Sequence, residues 1–385
     1  MFKQWEHFPE KGIEIKRKRR EYFMEKELKS ISTYEGSTLL GMNGGQPESP
    51  DGQLLVYARK PVLTEELTEI WVCDRNTLED QRKVFTVACG NHNGPSATFI
   101  DNDCIVFRDN INELSAFRIL NIHTGEVKYG PIFAKESHCA ENGWYPFSIS
   151  EEFLGKNPDY PQIDRCGIYL LDLATGEIKR VADKEMVYNM VVEHGCVPNE
   201  YTTSMSHVQL NPSATRVMMR LSVENCPVFG ALGCIDLETG ETHVIPDKPV
   251  HQLWFDDDTY MATRQYCDGS RIEMETSRIQ RFTVDGECLE ILGGIGNHID
   301  GSPDREYFTG DRAYPGYPAD IFLYKRGETE PVAVFGGQDF QDITWRKKVH
   351  PNPTFSRDGK RIYFNHPVSE DRTVACFVEV EELLK

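Results

Sequence analysis

H-V-Q-L-N-P-S-A-T-R-V-M-M-R (207–220), followed at 234–245 by C-I-D-L-E-T-G-E-T-H-V-I, is one unit of a repeat that recurs along the whole chain. Each half alternates apolar and polar residues around a turn of Pro, Asp, Gly or Thr-Gly. That pattern specifies a β-hairpin rather than a helix. The T-G-E half returns as R-I-L-N-I-H-T-G-E-V-K-Y-G (from 118), I-Y-L-L-D-L-A-T-G-E-I-K-R-V (from 168) and Q-R-F-T-V-D-G-E-C-L-E-I-L (from 280), with weaker copies at 70, 322 and near the C-terminus. The S-P-D-G half returns from 49, 99, 210, 254, 301 and 355, and a poor copy is read at F-S-I-S-E-E-F-L-G from 147.

Two hairpins per repeat make a four-stranded unit, and a spacing of roughly 45 to 60 residues suits a propeller blade. The expectation is an all-β chain: a seven-bladed β-propeller of four-stranded antiparallel blades occupying 1–385 as one domain. The last repeat shows three strands, so a segment at about 32–40 is expected to supply the fourth and close the ring. The insert at 185–206 is read as a long loop beside the mouth.

The bulk numbers agree with a folded chain of this kind. Hydrophobic residues make up 39% and the net charge is -19. That acidity argues against nucleic acid as a partner despite the basic run Lys16 to Arg20. No stretch approaches the ~20 apolar residues of a membrane span. The polar N-terminus lacks the apolar core of a secretory signal. Eleven scattered cysteines with no CxxC pair read as reduced thiols, so a cytoplasmic location is expected. The oligomeric state is not legible.

Aligning the repeats on the proline or aspartate of the first turn exposes a polar register. Five residues before it stand His207, His251, His298 and Asn352, with His350 two residues further back. Eight residues after it stand Arg220, Arg264, Asp311 and Asn365. Ser96 and Asp109 occupy this register in the second repeat, and His92 lies just upstream. In an antiparallel hairpin each such pair should adjoin, and in a propeller the inner strands begin at the central channel. Successive blades should therefore bring histidines, arginines and an aspartate to one mouth.

The segments S-H-V-Q-L-N-P (206–212), V-H-Q-L-W-F-D-D-D (250–258), N-H-I-D-G-S-P-D-R-E-Y-F-T-G-D-R-A-Y-P-G (297–316) and V-H-P-N-P-T-F-S-R-D-G-K-R-I-Y-F-N (349–365) resemble blades of oligogalacturonate lyases and related propeller polysaccharide lyases. The resemblance covers roughly 200–370. It implies a divalent metal, manganese first with zinc or calcium as alternatives, held by His298 and His350 with Asn352 where the family has a further histidine. It also implies that His251 acts as general base on an acidic oligosaccharide. Lys347 stands where the family has a glutamine ligand. Ulvan-degrading relatives direct attention instead to His92 and Tyr160, and to Cys267 as a zinc partner.

β-Elimination from a uronate requires a base at C5, neutralisation of the carboxylate, and protonation of the departing O4. His251 or His207 suits the base, Arg220 and Arg264 suit the carboxylate, and His92, Tyr160, Asp311 and Asn365 are candidate substrate contacts. Polysaccharide degradation by a lyase is the first expectation; a non-catalytic propeller binding carbohydrate or protein is the second. No G-x-S-x-G elbow is present, and G-G-I-G-N (293–297) reads as a turn.

Overall fold

The computed structural model describes residues 28–385 except 64–65, 90–93, 138, 225, 247–248, 269–270, 314–318, 337–348 and 370, and leaves aside the side chains of 136, 226–230, 265–268 and 271–275. Seven four-stranded antiparallel sheets form a β-propeller. Blades one to six occupy 37–88, 98–133, 135–183, 206–245, 249–293 and 299–335. Blade seven takes three strands from 354–379 and its outermost strand from Lys29–Ser30. Lys29 pairs with Phe377 and Ser30 with Cys376.

The closing strand therefore lies just upstream of the expected segment. Ser37–Leu39 is the innermost strand of blade one, paired with Ala58–Lys60. A two-residue strand carries almost no periodic signal, which is why the sequence pattern favoured the longer apolar run behind it.

The turns are made by their own side chains. In the T-G-E turns an Asp or Asn accepts two successive backbone N–H groups: Asp172 from Ala174 and Thr175 at 2.8 and 3.0 Å, Asp236 from Glu238 and Thr239 at 3.0 and 2.9 Å. This side-chain mimicry of a backbone turn is why aspartate recurs there. The glycine that follows takes positive φ, +78° at Gly176 and +77° at Gly240, where a Cβ would be strained.

Buried apolar residues gather between neighbouring blades. One cluster joins Val56 and Ile70 of blade one to Phe99 and Ile105 of blade two. Another joins Met218 of blade four to Tyr260 and Ala262 of blade five. A third joins Leu55 and Tyr57 of blade one to Tyr363 and Phe377 of blade seven across the ring closure. The core is thus a wheel of interblade layers, and it fixes which face of each strand meets which neighbour.

Two local expectations change. The inner hairpin of blade three joins Lys135–Glu136 to Trp144–Ile149, so F-S-I-S runs along its second strand instead of opening the repeat. The 185–206 insert opens as an α-helix, Lys184–Glu193, capped by Asp183, whose side chain accepts from Met186 N at 2.9 Å. Val187, Met190 and Val191 bury it against blades three and four. Its remainder is pinned to the mouth end of blade four, where Thr202 donates to Ser222 O at 2.7 Å and Glu224 N donates to Val197 O at 2.9 Å.

Candidate functional site

The inner strands of blades four, five and seven share an unusual backbone. His207, His251 and Asn352 have φ of 51°, 52° and 46°, and Ser96 of blade two has φ 49°. These are the residues of the polar register. Ladder irregularities fall between Ser206 and Gln209 and between Val250 and Leu253, so each histidine sits on a bulge. Left-handed conformations of non-glycine residues cost of order 1 kcal/mol or more and concentrate at functional sites. A bulge here turns the side chain out of the strand's ordinary alternation. The conformation at His207 is held from the next blade, since Gln252 Nε2 donates to His207 O at 3.0 Å.

Three imidazoles then stand in a row. The ring centroids of His251 and His298 are 4.3 Å apart, and those of His298 and His350 are 4.8 Å apart. The middle one is fixed by a carboxylate: Nδ1 of His298 lies 3.0 and 2.9 Å from the two oxygens of Asp311, which is fully buried. Since a carboxylate accepts, Nδ1 is the donor in this pair. Asp311 also accepts from the backbone N–H of Asn352 at 3.0 Å and of His298 at 3.2 Å, locking blade six to blade seven beneath the cluster.

His251 is pushed well below the ordinary imidazole pKa, first by burial and then by electrostatic repulsion from its neighbours His298, His207, Arg220 and His350. It is therefore neutral at neutral pH, with a lone pair available. Its Nδ1 is buried and has no hydrogen-bond partner among the described residues, and the same holds for Oδ1 of Asn352.

Not every expected pair falls in register. In the S-P-D-G turns the backbone closes over five residues, as in Ser302 N to Tyr307 O at 2.8 Å. In the D-x-D turns it closes over four: Ile100 N to Cys104 O and Phe255 N to Thr259 O, at 3.1 and 2.9 Å. There the first aspartate caps the tighter turn, Asp101 accepting from Asp103 N and Cys104 N at 2.8 and 2.6 Å. Blades two and five therefore lose one residue, and the strand that follows shifts by one. The position held by Arg220 and Asp311 in blades four and six falls to Arg108 in blade two and Thr263 in blade five.

Arg264, one residue further on, shares its face with Ala262 toward blade four, its guanidinium 6.0 Å from the Phe282 ring centroid. Asp109 is paired with Arg118 at 2.8 Å. Arg108 and Thr263 were missed in the register, although the signal (turn length) lies in the sequence.

The other expected residues are placed as follows. Asn365 is buried; its Oδ1 accepts from Leu40 N at 2.8 Å and its Nδ2 donates to His350 O at 3.1 Å, so its amide ties chain to chain. The hydroxyl of Tyr160 accepts from Gly130 N at 2.8 Å, on the outer strand of blade two and away from the histidine row. His92, Lys347 and the side chain of Cys267 lie outside the described residues.

Beneath the row, residues 40–48 leave blade one and cross to other blades before rejoining it. Met42 N donates to Ser96 Oγ of blade two at 3.0 Å, and Asn43 Oδ1 accepts from Ile299 N of blade six at 2.9 Å. Gln46 Nε2 donates to Phe355 O of blade seven at 3.2 Å. This crossing segment is a floor that no repeat pattern announces.

No protein-family model and no curated protein sequence matches the chain. Its fold is similar to solved structures. One is described as an oligogalacturonate lyase in complex with manganese, 14% identical over 92% of this chain and 94% of that one, TM-score 0.63. An oligogalacturonate lyase from Vibrio parahaemolyticus is 13% identical over the same shares, TM-score 0.62. A chain of a mitotic checkpoint complex is 9% identical over 98% and 97%, TM-score 0.53. At these identities the likeness is one of fold, and it is shared by propellers of unrelated duty. Among the described residues, no helix is long and apolar enough to cross a membrane. The chain is a seven-bladed β-propeller whose fold resembles that of oligogalacturonate lyases.

Proposed function

We propose that this propeller is a lyase that cleaves uronate-containing oligosaccharides by β-elimination at the His251–His298–His350 row. The observation that carries the reading is a half-buried His251 whose ring lies 4.3 Å from the carboxylate-oriented His298, with burial and Arg220 both holding its pKa below the ordinary imidazole value. Arg220 binds the uronate carboxylate, using the parallel donors of its guanidinium. His251 takes the C5 proton. The C4–O4 bond breaks as the C4–C5 double bond forms, and O4 leaves with a proton supplied from the His207 side.

Asp311 and Asn365 position their neighbours; the substrate meets the histidines and arginine. Among the described residues, no group of three His, Cys, Asp or Glu side chains is arranged for a metal. The donor set for such an ion would be two imidazoles and an amide oxygen: His298, His350 and the Oδ1 of Asn352, which has no hydrogen-bond partner among the described residues. Imidazole and carbonyl oxygen both suit a divalent ion such as manganese. Such an ion, when bound, supplies a Lewis acid that neutralises the carboxylate.

The test is purified protein with Mn²⁺ and a panel of uronate oligosaccharides, followed at ~235 nm for the unsaturated product that C5 proton abstraction demands. Product that disappears in His251→Ala supports the assignment. Absence of product across the panel overturns it, and sugar binding indifferent to chelation and to His251→Ala would mark a non-catalytic carbohydrate-binding propeller.

A further inference from the structure

Blade two contributes a charge to the same mouth. Its inner hairpin is one residue shorter than that of blade four, and the pairing of Phe99 with Ile105 puts Arg108 where blade four has Arg220. The packing confirms the face. Val106 joins the layer between blades two and three, as Met218 joins the layer between blades four and five; Arg108 and Arg220 each lie two residues further along the same side. Arg108 is half-buried. Its Nη2 lies 3.2 Å from Met42 Sδ, and its backbone N–H donates to Pro95 O at 2.7 Å.

Met42 belongs to the crossing segment, and the next residue, Asn43, holds the backbone of Ile299 beside His298. Consecutive Cα atoms are ~3.8 Å apart. Arg108 and the histidine row thus stand at two ends of one short, hydrogen-bonded floor. The adjacent carboxylate, Asp109, faces away to Arg118.

We propose that Arg108 is a specificity-determining residue: it binds the carboxylate of a second sugar unit, so that the mouth prefers a dianionic oligouronate over a single uronate. This rests on the uronate reading above. Arg220 takes the carboxylate of the unit that reacts, and Arg108 takes one further along the chain across the Met42–Asn43 floor. A guanidinium suits this because it grips a carboxylate through two parallel hydrogen bonds, whereas an ammonium offers only a point charge.

The experiment is calorimetric titration of the full chain, in a His251→Ala background so that no bond breaks, with galacturonate and with digalacturonate. The expected result is digalacturonate binding at least ~10-fold tighter than galacturonate, as one added charge-assisted contact allows. Arg108→Gln removes that gap and leaves galacturonate unchanged. Arg108→Lys, which keeps the charge and guards against a folding defect in the glutamine variant, narrows the gap without removing it. A gap that survives both substitutions overturns the role of Arg108, as does a loss equal for both sugars. If neither sugar binds and the ~235 nm assay on unmutated protein is also silent, the uronate reading itself falls, which is a different outcome from a persistent gap.

Discussion

Replacing Asp311 by asparagine tests the mechanical basis of the site. The carboxylate is fully buried and takes the Nδ1 proton of His298 at 2.9 Å, the backbone N–H of Asn352 at 3.0 Å and that of His298 at 3.2 Å. Asparagine keeps the shape but turns one acceptor into an NH₂ group. That group must then face an N–H donor, leaving at least one buried donor unmatched at about 1–3 kcal/mol and weakening the rest by loss of charge. A net destabilisation of about 3 kcal/mol follows. With an unfolding entropy of about 2.1 cal/mol/K per residue, a chain of this length should lose about 4 °C in Tm. Urea unfolding followed by tryptophan fluorescence, beside a thermal scan, measures both quantities. A variant within about 0.5 kcal/mol of the parent, the usual range for an uninvolved surface change, would refute the idea that this carboxylate locks blade six to blade seven.

The strained register makes its own prediction. At His207 or His251 a glycine variant should be more stable than the alanine variant by about 1 kcal/mol, the reverse of the order in ordinary strands, because only alanine retains the left-handed penalty; equal denaturation midpoints would remove strain from the account. Glu141 is pushed up to about 7, by burial first and by Asp257 after it, against the pull of Arg357. The folded protein then holds a proton that the unfolded chain has released, so stability should fall as pH rises from about 4.5 to about 7, by on the order of 2–3 kcal/mol. Glu141→Gln should flatten that slope, and an unchanged slope would show that Glu141 does not cause it. For the proposed lyase, His298→Ala with His350→Ala should abolish any near-stoichiometric Mn²⁺ seen by metal analysis of the parent. Metal retained by the double variant would move the ion elsewhere.

The propeller was legible because its turns are written in side chains that cap backbone N–H groups, and these recur whatever the strands contain. The histidine register was legible for the same reason: counting back from a capped turn lands on one position per blade. The count forward failed where the cap changed. Asp101 and Asp256 close a tighter turn than Ser49, Ser302 or Ser356, so Arg108 and Thr263 took places that an even count had given to Asp109 and Arg264. The left-handed backbone at His207, His251 and Asn352 was hidden because none is glycine, and sequence announces positive φ mainly through glycine. The crossing segment was hidden because it belongs to no repeat: its partners, Ser96, Ile299 and Phe355, lie on three other blades.

The join between blades seven and one also governs how the molecule must be made. Leu40 finds its partner Asn365 only after 325 further residues, and Lys29–Ser30 waits longer still for Phe377 and Cys376. During synthesis, at about 5–20 residues per second, the first blade stands as an open arc with one naked edge for tens of seconds. Latching that edge is a late event with a large loop-closure cost. Substitutions at the seam, Asn365 among them, should therefore slow maturation and lower the yield of folded chain more than their effect on the finished ring implies.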